Sequence, residues 1–139
     1  MMKEAYVSYD VAKLLKEKGF NGYCHVIHIN NHNSLIGKVI SNSELTTTHE
    51  YKFCKDQENC ITIPTQQMTC QWLREVYNIL VCVLPCEVGA GVMDYTYCIY
   101  RIHADNYYFE PLMQGRISES INYEKTLEAG LEFVLTNVI

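Results

Sequence analysis

Histidines are the first residues of this chain whose spacing suggests chemistry, because His25, His28, His32 and His49 lie close together. Imidazole nitrogens bind zinc and other transition metals. Residues 23–30, however, are predicted to form a strand, in which His25 and His28 point to opposite faces. No cysteine or carboxylate completes a standard metal spacing. We therefore interpret these histidines as surface or loop residues, and we expect neither a metal site nor a cofactor.

Cys86 and His103 are the candidates for catalysis, since each lies at the end of a predicted strand. A nucleophilic thiolate needs a base within hydrogen-bond reach, and this reach depends on the fold. The neighbouring run Gly89-Ala90-Gly91 is followed by neither Lys-Ser/Thr nor a helix start, so it is predicted to be a turn and not a phosphate loop. We assign no catalytic residue, and a small enzyme with a Cys86/His103 centre is the alternative.

Tyrosine is abundant, with eleven residues against four Phe and one Trp. On a predicted strand over 93–103, one face carries Met93, Tyr95, Tyr97, Ile99 and Arg101. After a turn at 104–106, Tyr107 and Tyr108 are placed to pair across a hairpin. These residues either pack across strands or form a surface for a protein partner, a second subunit or a small stacked ligand. The predicted surface consists of Tyr95, Tyr97, Arg101, Tyr107 and Tyr108.

Glu124, Glu128 and Glu132 recur at a spacing of four and share one side of a predicted helix. Like charges at this spacing mildly destabilise a helix. Carboxylates so arranged could hold a hard cation or do acid–base chemistry. We interpret the three as a solvated face opposite the apolar stripe, with a docking surface for a basic partner as the alternative.

Composition limits the class of protein. The 139 residues are 48% hydrophobic and 19% charged, which predicts a single globular domain over 1–139. The net charge of -5 and the absence of a basic run argue against nucleic-acid binding. Seven cysteines without a CxxC pair favour reduced thiols, and no signal peptide or membrane span is recognised. We expect a cytoplasmic protein that does not bind membranes.

Three helices are predicted from caps and apolar stripes. The first begins after Ser8 and ends at Gly19, which suits a left-handed C′ position. The second begins after Thr65, ends near Asn78 and has a predicted core stripe of Met68, Trp72, Leu73 and Val76. The third covers about Tyr123 to Asn137, with Leu127, Leu131, Val134 and Val138 as its stripe.

Strands are predicted between the helices, and Pro85 is predicted to end the strand over 79–84. Hairpin-like turns separate most of them, so the sheet is predicted to be mainly antiparallel, with six to seven strands. The fold class is α+β, in the order α-β-β-β-β-α-β-β-β-α. The predicted strands cover 23–30, 35–40, 51–54, 60–63, 79–84, 93–103 and 107–112.

The helical segments carry a family resemblance. The stretch KEAYVSYDVAKLLKEKGF over 3–20, the residues PTQ at 64–66 with WLREV at 72–76, and the closing helix over 123–139 resemble small uncharacterised proteins of Bacteroides phages and prophages. These stretches cover under half of the chain and contain no catalytic motif. Where such proteins have an acidic or aromatic turn after the first helix, this chain has Asn21-Gly22-Tyr23.

The resemblance implies a phage or prophage accessory protein with no established activity. Together with the tyrosines, it favours a binding or interaction protein that self-associates or contacts another protein. Such a protein could block a host factor or bind a small nucleotide signal. A virion accessory protein is a further alternative.

Overall fold

The computed structural model describes residues 5–20, 26–30, 37–41, 60–117 and 122–139. The chain divides into two compact units, Met1–Met68 and Thr69–Ile139. Within these residues, three α-helices and antiparallel strands confirm the predicted α+β class. The predicted number of strands and order of elements are not confirmed, and the predicted strand 51–54 lies outside the described residues.

The elements follow the chain in this order. The first unit contains α1 (Tyr9–Glu17), β1 (Val26–Asn30), β2 (Gly37–Ser41), β3 (Cys60–Thr62) and the start of α2 (Gln66–Tyr77). The second continues with β4 (Ile79–Gly89), β5 (Val92–His103), a 3₁₀ turn (Ala104–Asn106), β6 (Tyr108–Gly115), α3 (Tyr123–Phe133) and a π-helical turn (Val134–Val138). The described strands form two antiparallel sheets, in the orders β2-β1-β3 and β4-β5-β6.

Local capping chemistry sets the ends of α1, as predicted. The Ser8 Oγ accepts a hydrogen bond from the backbone N–H of Val11 at 3.2 Å. At the other end Gly19 has φ +82°, and the N–H of Phe20 donates to the carbonyl of Leu15 at 2.9 Å. This bond and the one from Gly19 to Lys16 form a Schellman ending, which satisfies carbonyls that the helix leaves unpaired.

Helix α2 also has its predicted ends, but its buried side differs. The Thr65 Oγ1 accepts from the Met68 N–H at 3.1 Å, and Asn78 is left-handed with φ +56°. Trp72 and Leu73 are buried as predicted. Val76 was predicted to face the core, and this is wrong, because it is 53% exposed in the last turn before the chain leaves for β4. Thr69 and Cys70 are buried instead.

Strand β4 does not end at Pro85, contrary to prediction. It continues to Gly89, and Pro85 lies opposite Tyr95 on β5. The Asn78 carbonyl accepts from the Ile102 N–H, so hydrogen-bonded pairs recur at even-numbered positions of β4. Pro85 occupies an odd-numbered position, where the backbone nitrogen points away from β5. Among the described strands β4 has a neighbour on one side only, so the missing N–H costs no ladder bond there.

Helix α3 packs on one face of the β4-β5-β6 sheet. A Cβ atom placed at Gly130 would lie 3.1 Å from both Tyr97 and Val81, so the helix and sheet approach closely there. The predicted residues Leu127, Leu131 and Val134 are buried, whereas Val138 is partly exposed in the terminal π-helical turn.

Asn122 is the N-cap of α3, a role that the sequence analysis did not assign to it. Its Oδ1 accepts from the Lys125 N–H at 2.8 Å. We expect Asn122→Ala to lower the free energy of unfolding by about 1 kcal/mol, because this donor loses its partner. Asn122→Asp, which keeps an acceptor, should stay close to wild type in urea denaturation. Equal stability of all three proteins would contradict the cap assignment.

Candidate functional site

The two candidate catalytic residues lie far apart. Cys86 is opposite Asp94 near one end of β5, and His103 is the last residue of that strand. Positions 94 and 103 are nine residue steps apart along β5. At ~3.3 Å per step, this is a length of about 30 Å. A thiolate and its base must be within hydrogen-bond reach. Cys86 and His103 therefore cannot form a nucleophile–base pair.

The tyrosine face of β5 is largely covered by α3. Tyr97 is only 9% exposed, and its ring centroid lies 6.5 Å from that of Phe133. Tyr95 is partly buried and makes an edge-to-face contact with Tyr123 at 5.7 Å between ring centroids. Tyr97 therefore belongs to the core and not to the predicted surface. The packing interpretation holds for Tyr95 and Tyr97.

Exposed aromatic residues lie instead at the end of the β5–β6 hairpin. Tyr107 is 96% exposed, and Tyr108 and Phe109 are each 53% exposed. We call these three residues the aromatic tip. Isolated exposed apolar side chains are common, but three consecutive exposed aromatic residues concentrate aromatic surface at one end of the hairpin, as interaction sites do. The structure thus brings Tyr107 and Tyr108 together and separates them from Tyr97.

The hairpin turn sets the position of the aromatic tip. The 3₁₀ turn Ala104–Asn106 is followed by Tyr107 in the left-handed conformation, with φ +53°. A non-glycine residue adopts this conformation at a cost, so its surroundings must hold it there. The predicted turn at 104–106 is confirmed, and it directs Tyr107 away from the sheet into solvent.

A cross-strand cluster supports the base of the tip. His103 lies opposite Tyr108, and the two rings stack with centroids 5.9 Å apart. The His103 Nε2 is 3.1 Å from the Glu110 Oε2, and Glu110 lies opposite Arg101. Both members of the His103–Glu110 contact are partly exposed, so the contact contributes little to stability but restrains the side chains. The sequence-predicted residue Arg101 is exposed beside this cluster.

Phe109 is an exposed aromatic residue that was not predicted as part of the surface. Its signal was present, because it continues the aromatic pair Tyr107-Tyr108 directly after the Ala-Asp-Asn turn. Strand alternation places Phe109 on the opposite face from Tyr108, and both residues are half exposed. At the end of a hairpin both faces can be accessible, so alternation does not separate core from surface there.

Other exposed groups lie elsewhere on the second unit. Leu84, Val88, Val92 and Met93 are exposed where β4 and β5 extend beyond β6. On α3, Glu124 and Glu132 are exposed, as expected of a solvated helix face, whereas Glu128 is partly buried. These two sets contain no tyrosine cluster of the kind found at the aromatic tip.

A shallow cavity lies on the face of the sheet opposite α3. Its volume is about 260 Å³, and it contains neither Cys86 nor His103. Pockets that bury drug-sized ligands have roughly 300–1,000 Å³. The cavity is lined by Cys98, Tyr100, Pro111, Leu112, Met113 and Gln114.

Cys70 is a buried thiol on α2, and burial raises its pKa from 9.0 to about 11, with Arg74 acting in the opposite direction. The unfolded chain therefore loses this proton at lower pH than the folded chain. We expect the free energy of unfolding to fall as pH rises from 9 to 11, by at most about 1.4 kcal/mol per pH unit from this thiol. Chemical denaturation across this range should show a shallower decline for Cys70→Ala. An identical decline in both proteins would contradict the assignment.

Within the described part of the chain, no three His, Cys, Asp or Glu side chains converge as a metal site would require. His25, His32 and His49 lie outside it, as does the side chain of His28. Each described helix falls short of the length and hydrophobicity that a membrane crossing needs. No protein family, curated protein or solved structure matches the chain.

Proposed function

We propose that the chain is a non-enzymatic interaction protein that associates with a second copy of itself through the aromatic tip. The observation that carries this proposal is the consecutive exposure of Tyr107, Tyr108 and Phe109 at the end of a structured hairpin. None of the three contributes a buried side chain to the core. Tyrosine is enriched at the energetic centres of interfaces because it combines a large apolar area with few rotatable bonds.

Pre-organisation of the tip supports a binding role. The stacked pair His103–Tyr108 and the His103–Glu110 contact restrain the side chains at its base. Ordering side chains on association costs about 0.5–1.5 kcal/mol for each one that is mobile beforehand. Tyr108 is already ordered by its stacking on His103, so it avoids part of this cost and more of the free energy of apolar burial contributes to affinity.

The charges around the tip favour a second copy as the partner. Arg101 and Glu110 lie opposite each other on β5 and β6, with His103 between them and the tip. A two-fold interface brings one patch against itself, so it is favourable when the patch carries both signs of charge. We propose a two-fold arrangement in which Arg101 of one subunit faces Glu110 of the other. A patch of one sign would repel itself.

Strand β6 limits how the copies meet. It lies at the edge of the β4-β5-β6 sheet as far as the described strands go, and such edges can pair with strands of other molecules. Pro111 lies in the middle of β6 and provides no N–H for such a ladder. We therefore propose contact through the side chains of the tip and not through addition of a strand.

The resemblance to phage and prophage proteins adds a biological setting to this proposal. In that setting the protein is an accessory factor whose activity depends on assembly and not on catalysis. The separation of Cys86 from His103 removes the catalytic centre on which the enzyme alternative depended.

Sedimentation velocity across a wide range of protein concentrations tests the proposal. We expect wild type to show a concentration-dependent increase in sedimentation coefficient and Tyr107→Ser/Tyr108→Ser/Phe109→Ser to stay monomeric. The matched control is Val92→Ser/Met93→Ser, which removes exposed apolar groups at the other end of β5 and should associate like wild type. A wild-type protein that stays monomeric would overturn the proposal, as would a tip variant that still associates.

A further inference from the structure

Cys82 and Cys98 lie directly opposite each other on β4 and β5. Their neighbours Val81, Tyr97 and Ile99 point towards α3, so alternation places both cysteines on the other face of the sheet. Cys82 is half-buried, and Cys98 is buried. The cysteine spacing in the sequence predicts reduced thiols and does not indicate this pair, because the pairing depends on the register of β4 with β5.

The register holds the two cysteines at a backbone separation that a disulfide can span. Position 82 belongs to the even-numbered, hydrogen-bonded set on β4, for which Cα atoms of a pair are about 5.5 Å apart. Disulfides span Cα separations of about 4.4–6.8 Å. The Sγ of Cys82 already lies 3.8 Å from the backbone oxygen of Cys98, so its side chain is directed across the strand gap.

We propose that Cys82 and Cys98 form a dithiol modification site that closes reversibly to a cross-strand disulfide by exchange with a low-molecular-weight disulfide such as glutathione disulfide. Cys82 is the entry point because it is the more exposed of the two. The site is independent of the aromatic tip and of self-association.

The disulfide forms through two successive thiol–disulfide exchanges. The Cys82 thiolate attacks one sulfur of glutathione disulfide, which forms a mixed disulfide and releases one glutathione thiolate. The Cys98 thiolate then attacks the Sγ of Cys82 and releases the second glutathione thiolate. The two protein thiols lose two protons and two electrons, and the two glutathione molecules that leave carry them.

The surroundings of the pair set its rate and its lability. Burial and the proximity of Cys98 raise the pKa of Cys82, and Cys98 in turn raises the pKa of the adjacent Tyr100. A raised pKa lowers the thiolate fraction at neutral pH, so closure is slow there and accelerates as pH rises. Cβ atoms of hydrogen-bonded pairs are about 5.5 Å apart, whereas a disulfide needs about 3.8 Å. The bond is therefore strained and readily reduced.

Cys70 is the described cysteine that competes for Cys82, since the two are close enough for Cys82 to contribute to the raised pKa of Cys70. Cys70 is buried on α2 and has no strand register that holds it opposite Cys82. Cys86 lies opposite Asp94. Among the described cysteines, the register therefore selects Cys98 as the partner.

The experiment is native incubation of the reduced full chain with glutathione disulfide, followed by acid quenching, alkylation and peptide mapping by mass spectrometry. We expect a loss of two mass units and a peptide linking Cys82 to Cys98, formed faster at pH 9 than at pH 7 and reversed by reduced glutathione. Cys98→Ser should instead accumulate glutathione on Cys82, and Cys86→Ser should behave as wild type.

Other outcomes overturn the proposal. These are a Cys70–Cys82 bond, glutathione retained on wild-type Cys82 without closure, and full alkylation of both cysteines after prolonged exposure at pH 9. The mapping of wild type needs no variant, so a folding defect in Cys98→Ser does not affect the conclusion.

Discussion

Replacing Tyr97 with alanine is expected to lower the free energy of unfolding by about 3–5 kcal/mol, the range for large aromatic side chains in a core. The Tyr97 ring lies between α3 and the sheet, close to Gly130 and Phe133 and over Gly115. Its removal leaves a cavity that neither the helix nor the strands can close without moving backbone. Urea denaturation followed by circular dichroism measures the effect.

Tyr107→Ala is the matched control for this change. It removes the same side chain from a position that is 96% exposed. Surface substitutions of this kind are expected to change stability by no more than about 0.5 kcal/mol. A Tyr97→Ala protein as stable as Tyr107→Ala would contradict the assignment of Tyr97 to the core.

Replacing Gly115 with valine is expected to cost about 3 kcal/mol, at the upper end of the range for overpacked cores. A Cβ atom at this position would overlap the ring and hydroxyl of Tyr97. The ring cannot easily move aside, because Gly130 lies close to its base on the α3 side. The Gly115 backbone is further fixed by its carbonyl, which accepts from the Thr96 Oγ1 at 2.7 Å.

A double-mutant cycle separates this clash from a general intolerance of β6 to substitution. In the Tyr97→Ala background the space above Gly115 is open, so Gly115→Val should cost much less than it does in wild type. Contacting residues commonly show coupling of about 0.5–3 kcal/mol. Additive effects of the two substitutions would contradict the packing of Tyr97 over Gly115.

The helix ends could be predicted from the sequence because capping depends on a few adjacent residues. Ser8, Thr65, Gly19 and Asn78 each act within one helical turn of their own position. The start of α3 at Tyr123 was also predicted, but Asn122 was not identified as its cap, because Ser118, Ser120 and Asn122 are all residue types that cap helices. Local chemistry thus identifies where a helix begins more readily than the capping residue itself when several candidates precede it.

Features that depend on tertiary contacts could not be predicted in the same way. Strand alternation grouped Tyr95, Tyr97 and Arg101 on one face correctly, but it could not show that α3 covers the first two and leaves Arg101 exposed. The predicted strand end at Pro85 was wrong for the same reason. Whether a strand can contain a proline depends on whether its nitrogen faces the neighbouring strand, and only the β4–β5 register shows this.

Distances between strand ends also depend on register. Cys86 and His103 both lie near strand ends in the sequence, and only the pairing of β4 with β5 shows that these are opposite ends of the sheet. The same register places Cys82 opposite Cys98. The sequence therefore contained the residues of both pairs without the information that separates one and joins the other.

The central claim is that the aromatic tip is the surface through which the protein associates. A series of ¹H–¹⁵N correlation spectra recorded from dilute to concentrated protein tests it at residue resolution. We predict that backbone resonances of residues 103–110 shift or broaden with concentration, while those around Gly89–Gly91 and on the Glu124–Glu132 face of α3 stay unchanged. Concentration-dependent changes confined to those other regions, or spectra that do not change with concentration, would contradict the claim.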